Sequence, residues 1–186
     1  MSEIVKLIAQ PMTAEAFAPY GEVMEAKEHP SDHRQFFPVG FEADGKTTVS
    51  VIWQPQEGVQ FTQLERHFGV TQSFVQLGGG TAVVAVSRPT DPNDPEAYPK
   101  PEDVKAFLID PTKGFMFGRG TWHSLNRYIL DPAGATFVIL NSRPNPTQIV
   151  DYTECRWYNY TDLGTDKSPI TGPTAGLEPL VFEVAL

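Results

Sequence analysis

The chain has 186 residues, a formal charge of −9 from 23 acidic and 14 basic side chains, and a single cysteine. That length suits one domain able to bury a core without cross-links, and the charge repels phosphate backbones and anionic bilayers alike, which argues against nucleic acid or membrane partners. Cys155 has no partner for an intrachain disulfide and reads as an inert thiol. The 17 prolines and 15 glycines set beside 12 phenylalanines describe many short elements joined by turns around an apolar core. No basic stretch leading into an apolar run opens the chain, and no apolar run approaches the roughly 18 residues of a spanning helix; the expectation is a soluble, cytoplasmic protein.

In chain order, residues 4–9 read as a first strand, and Thr13 caps a helical turn through Ala14–Phe17 that Tyr20-Gly21 closes. Glu22 to Met24 reads as a short strand, and Ala26 to Ser31 as polar and irregular. The aromatic segment Gln35 to Phe41 is expected to form an edge strand around Pro38, and Ala43-Asp44-Gly45-Lys46 a hairpin-type turn. Thr47 to Trp53 is a run of β-branched and aromatic residues, hence a strand, followed by a turn at Pro55–Gly58 and a strand from Val59 to His67. Gln72 to Leu77 and Thr81 to Ser87 are expected to pair as a hairpin across Gly78-Gly79-Gly80, where no helix or Lys-Ser follows to make a phosphate cradle.

Prolines 89, 92, 95, 99 and 101 make the stretch from Arg88 to Pro101 a surface loop. A brief helical turn at Pro101–Val104, strands from Ala106 to Ile109 and Phe115 to Phe117, a longer strand from Trp122 to Leu130, and an apolar strand from Thr136 to Asn141 follow. Beyond Arg143 the pattern weakens, leaving one short strand from Leu180 to Val184 and an extension of about residues 145–186 that must pack on the rest of the domain or on a second subunit. Short strands with almost no helix to cover a parallel sheet imply a mainly antiparallel, all-β barrel or jelly roll with a few short helices.

The stretch Leu64-Glu65-Arg66-His67 is the chemical centre of this pattern. Side chains alternate across a strand, so Glu65 and His67 share one face and Arg66 takes the other, where a structural ion pair is its expected role. If Gln72 opens the returning strand, its carboxamide joins them, and His123 in Gly120-Thr121-Trp122-His123 supplies a distant imidazole. His67 and His123 are suitable nitrogen ligands for a divalent cation, Glu65 is either a third ligand or an acid/base group, and Gln72 is a weak neutral ligand or a hydrogen-bond donor. An anionic substrate needs a cation, and Arg119, Arg127 and Arg143 are the candidates, Arg127 by its place on the same strand face as His123. Trp122 and Phe117 read as core.

Glu65, His67, Gln72 and His123 stand where cupins place their metal-binding residues. The ordered segments Leu64-Glu65-Arg66-His67, Thr71-Gln72-Ser73-Phe74 and Gly120-Thr121-Trp122-His123, preceded by Glu15-Ala16-Phe17-Ala18-Pro19-Tyr20-Gly21, resemble the ureidoglycolate lyase family, formerly called ureidoglycolate hydrolases, from about residue 8 to residue 142. The resemblance implies a cupin-type barrel, usually a homodimer. It implies cleavage of ureidoglycolate into glyoxylate and urea during allantoin or purine breakdown. A weakly held divalent metal (nickel, manganese or zinc) is associated with that activity, and no nucleotide or organic cofactor. The chain departs from the family's pattern at Phe68, where a proline is usual, at Ser124-Leu125-Asn126 after Trp-His, and between His29 and Gly45. A metal-dependent cupin isomerase or dioxygenase, and a non-catalytic ligand-binding cupin, are the rival readings.

Overall fold

The computed structural model describes residues 2–186. In chain order the elements are β1 (Glu3–Pro11), α1 (Ala14–Phe17), β2 (Gly21–Met24), β3 (Lys46–Gln54), β4 (Gln60–Phe61), β5 (Gln63–His67), β6 (Ser73–Gly79) and β7 (Ala82–Ser87). A 3-10 turn at Pro101–Asp103 leads to β8 (Lys105–Ile109), β9 (Gly114–Phe117), β10 (Trp122–Ser124), β11 (Tyr128–Ile129) and β12 (Ala135–Arg143). The chain ends through β13 (Thr147–Asp151), β14 (Arg156–Tyr160), β15 (Ile170–Pro173) and β16 (Leu180–Ala185).

These strands build two curled sheets. The larger runs β15-β14-β13-β5-β10-β7-β8-β1-β16-β4, with β11 also on β7, and the smaller runs β2-β9-β6-β12-β3. Pairing is antiparallel except where β1 lies parallel to β8 and β16. Between the sheets lies a phenylalanine-rich core in which Phe74, Phe115, Phe117 and Phe137 of the small sheet meet Val84, Val86, Phe107 and Ile109 of the large one. Phe17 of α1 enters the same layer edge-on to Phe107, with ring centroids 5.4 Å apart, and Thr13 Oγ1 caps the helix by accepting from the Ala16 amide. A second core, with Leu64, Trp122, Val150, Tyr152 and Phe182, covers the outer face of the large sheet. β7 is buried on both faces because small Ala and Val residues alternate between the two cores.

Several expectations change. β6 and β7 do not pair: the chain leaves the small sheet at Gly79, whose φ is +98°, and enters the large one. The glycines are needed for contact as well as for backbone freedom, since a Cβ on Gly80 would sit 1.9 Å from Asp131 Cβ. Gln35–Phe41 is irregular and largely exposed, because Pro38 lacks a donor and no sheet edge is presented to it. The turn at Ala43–Lys46 therefore closes no hairpin, and Ala43 instead bridges Val70. The strand expected from Trp122 to Leu130 breaks after Ser124, whose hydroxyl donates to Asn126 O and accepts from the Ala85 amide, replacing a ladder bond with a side chain. The strand from Val59 likewise divides into β4 and β5.

The weakly patterned tail supplies four strands, and β13 pairs directly with β5, Thr147 opposite His67 and Ile149 opposite Glu65. The 88–101 loop is held closely against the outer face. Carbonyls of Thr90 and Asp91 accept from Arg66, that of Pro95 from Gln148 and that of Pro99 from Tyr152.

Candidate active site

Strand register assembles the site. β10 pairs with β5 so that His123 lies directly opposite Glu65, and His67 is two residues along on the same inward face. Directly opposed side chains come within contact distance. Here His67 Nε2 and His123 Nδ1 each lie 3.8 Å from the same oxygen, Glu65 Oε1. The ligand atoms of Glu65, His67 and His123 fall within 4.8 Å of one another, a grouping that could hold a metal ion, and all three residues are buried. Phe117 stacks flat on His123 with ring centroids 4.2 Å apart, so this core aromatic also fixes the imidazole plane.

Hydrogen bonds define the tautomers. His67 Nδ1 is 2.8 Å from Thr147 Oγ1, and that hydroxyl spends its only hydrogen on Asn145 O. Nδ1 must then be the donor, which leaves Nε2 with a bare lone pair. His123 Nδ1 faces the carbonyl of Ser124 at 3.1 Å, and a carbonyl only accepts, so its Nε2 is bare as well. Both Nε2 atoms, together with Oε1 of Gln72, are buried without a hydrogen-bond partner. Unpaired buried acceptors are costly and rare. Three of them in the group around Glu65 fit a divalent cation by donor type.

Burial and one cation set the charge states. Burial pushes the Glu65 carboxyl up to about 7, with Arg127 pulling it back. Burial lowers His67 to about 4, with Arg127 adding to the effect and the adjacent Gln72 carboxamide opposing it. His123 is held well below the usual imidazole range by burial and by His67. Both imidazoles are therefore neutral near pH 7, the form that binds metal. Burial brings Arg127 down only to about 10, so it remains a cation.

Among the candidate arginines the structure brings Arg127 to this group. It is buried, with its guanidinium over the Phe74 ring at 4.2 Å, and its hydrogen bonds go only to neutral acceptors, Gln54 Oε1 and Leu125 O. Arg119 points outward and is engaged by Asp44, through both oxygens at 2.8 Å, and by Glu42 at 3.1 Å. Arg143 stands exposed at the end of β12, on the rim of a cavity at the β3–β12 edge. Arg66 takes the opposite face, as alternation requires, but its partners are Gln148, two carbonyls, the Thr90 hydroxyl and the Trp122 ring at 4.6 Å rather than a carboxylate within ion-pair distance. Thr147 has no motif to announce it; its role follows only from the pairing of β13 with β5.

Two curled β-sheets enclosing a buried carboxylate–imidazole cluster define a protein of the cupin type. The sequence pattern of the ureidoglycolate lyases matches residues 4–159, which include every side chain of this site, and the chain belongs to that family. It is 30% identical to a ureidoglycolate lyase of a Chelativorans species over 149 residues, 69% of this chain and 79% of the relative. The ureidoglycolate lyase of Azotobacter vinelandii is 30% identical over 67% of this chain and 79% of its own. That of Burkholderia cepacia is 27% identical over 84% and 92% respectively.

Proposed function

We propose that this protein cleaves the C–N bond of ureidoglycolate, giving glyoxylate and urea, with Glu65, His67 and His123 as its catalytic centre. The observation that carries the reading is a buried carboxylate poised near neutrality between two neutral imidazoles and a fixed guanidinium, in a chain of this family. Arg127, without a carboxylate partner of its own, receives the substrate carboxylate and orients the carbinol carbon toward Glu65. Both imidazoles lie 3.8 Å from Glu65 Oε1, beyond hydrogen-bond distance, which leaves the carboxylate to handle a proton. Glu65 takes the hydroxyl proton as the C–O bond gains double-bond character and the C–N bond breaks, then returns it to the departing urea nitrogen. The reaction is redox-neutral: one proton moves from oxygen to nitrogen. Nickel, manganese or zinc would be held by His67, His123 and Glu65, with Gln72 in reach, and would supply Lewis acidity toward the substrate's hydroxyl and carboxylate oxygens.

The same reading places the chain in allantoin breakdown in the cytoplasm, as one domain that includes the strands after Arg143. It also makes the enzyme a homodimer, on the evidence of an apolar outer face of the small sheet. Val51, Val138 and Val75 stand side by side across β3, β12 and β6, flanked by exposed Val49, Trp53 and Leu77. An outward sheet face would otherwise be polar, and a self-complementary patch of this kind is what a two-fold interface uses.

The test is glyoxylate release from ureidoglycolate by purified protein supplied with nickel, manganese or zinc. Activity should appear in the wild type and be lost in His67→Ala and His123→Ala. A folded wild type that releases none with any of the three metals would refute the substrate; a fully active double variant would refute the site.

A further inference from the structure

A cavity of about 420 Å³ opens on the inner side of the β3–β12 edge, where the two sheets part. Its walls include Thr48, Ser50, Asn141, Arg143, Asn145 and Asp162. Register aligns its walls with the row of side chains that leads outward from the core. On the inner face of this edge the cross-strand pairs run from Phe137–Ile52 through Ile139–Ser50 to Asn141–Thr48, passing from the core to polar side chains at the mouth. Ile139 is in turn opposite Phe74, the ring beneath Arg127.

Asn145 is the singular wall residue. It is 6% exposed and its Oδ1 has no hydrogen-bond partner. Its backbone is held on every side: the amide donates to Asp162 Oδ1, and the carbonyl accepts from the Leu163 amide and from the Thr147 hydroxyl that supports His67. A rigidly mounted side chain with a bare acceptor is a cost to the fold unless a ligand answers it.

The geometry points to this cavity as the subsite for the ureido end of the substrate, with the Asn145 carboxamide as its specificity contact; this rests on the lyase reading above. A carboxamide carries one donor edge and one acceptor edge, the complement of a ureido group. Thr48, Ser50 and Asn141 add donors and acceptors at the mouth, where the released urea leaves. With the ureido end here, the carboxylate end of a small α-hydroxy acid is directed inward toward Arg127.

Two measurements test it. In steady-state kinetics, Asn145→Ala should raise KM for ureidoglycolate about tenfold with kcat retained, the loss of one neutral hydrogen bond made equally in ground and transition states. Independently of turnover, methylurea should shift the side-chain amide resonances of Asn145 saturably, acetate at equal ionic strength should not, and Asn145→Ala should lose methylurea binding. Wild-type KM in Asn145→Ala, or unchanged methylurea binding by it, would overturn the subsite. Should that variant fail to fold, the pair Thr48→Val and Ser50→Val decides in the same two assays, unchanged KM and binding again overturning it. A wild type that binds methylurea but releases no glyoxylate would refute the lyase reading and leave the ureido subsite standing.

Discussion

Thr147→Val removes one oxygen and tests whether the tail strand β13 serves the site or merely covers it. In the wild type, Thr147 Oγ1 accepts from His67 Nδ1 at 2.8 Å and donates to Asn145 O at 2.9 Å, fully buried. Valine keeps the shape and strands both partners, so the fold should lose about 1–3 kcal/mol for each group left unsatisfied, less whatever the Asn145 carbonyl recovers through its bond from Leu163. The larger effect falls on the metal. Without its acceptor the imidazole is no longer fixed with Nε2 inward, and loss of such a supporting partner costs about 10–100-fold in affinity. Competition with a fluorescent chelator measures that affinity and urea denaturation measures the fold, with Thr147→Ser, which keeps the hydroxyl, expected to restore both. A folded Thr147→Val protein that binds nickel or zinc as tightly as the wild type would refute the argument.

Four further variants probe charge and assembly. Glu65 sits at about 7 against an ordinary 4.5, so the metal-free fold has its contribution in full below pH 4.5 and loses it as pH rises through 7. The loss is about 3 kcal/mol. Glu65→Gln should abolish it, making the metal-free variant more stable than wild type at pH 8 but not at pH 4.5; parallel denaturation curves at both values would refute this. His67 has the opposite sign, its contribution present above 6.5 and lost as pH falls through about 4, and it should persist in the variant. Arg127→Met should raise KM for ureidoglycolate by about 100-fold through loss of a buried charge pair, whereas Arg119→Ala, whose guanidinium is already spent on Asp44 and Glu42, should leave KM unchanged. Val51→Asp should convert a sedimenting dimer to monomer; a monomeric wild type would exclude the apolar face as an interface.

What could be read from the sequence follows where side chains obey a single period. Glu65, Arg66 and His67 alternate on one regular strand, so their faces were predictable; so was Thr13 as a cap. The 147–151 segment was opaque because it is polar on both faces and buried on both: Thr147 meets His67, Gln148 meets Arg66, and Asp151 meets Gln63. No hydrophobic alternation survives in such a strand, although every polar atom named there is paired. The glycines at 78–80 misled in the opposite way, since the same residues that make a tight hairpin also allow the chain to change sheets against Asp131. Which arginine reaches the interior was a question of chain direction. Arg127 lies beyond the break that Ser124 imposes on the strand, and it still turns inward because Gln54, across on the small sheet, accepts from both its Nε and its main-chain amide.

The charge arrangement further requires that cation uptake be coupled to a proton. Near pH 7 the two imidazoles are already neutral and Arg127 is already charged, so among the groups at the centre Glu65 alone is near its midpoint. A divalent ion placed against Glu65 needs the carboxylate, and the fixed guanidinium nearby repels the ion while favouring that same carboxylate. Below pH 7 the ion must therefore displace a proton from Glu65, and its affinity should climb about tenfold per pH unit up to that point and flatten above it. Calorimetric titration in buffers of different ionisation enthalpy should count about one proton released per ion at pH 6 and few at pH 8.5. A release that is the same at both values would mean that Glu65 is already ionised at pH 6 in the metal-free site, and the near-neutral titration that suits it to take up and return a proton would be wrong.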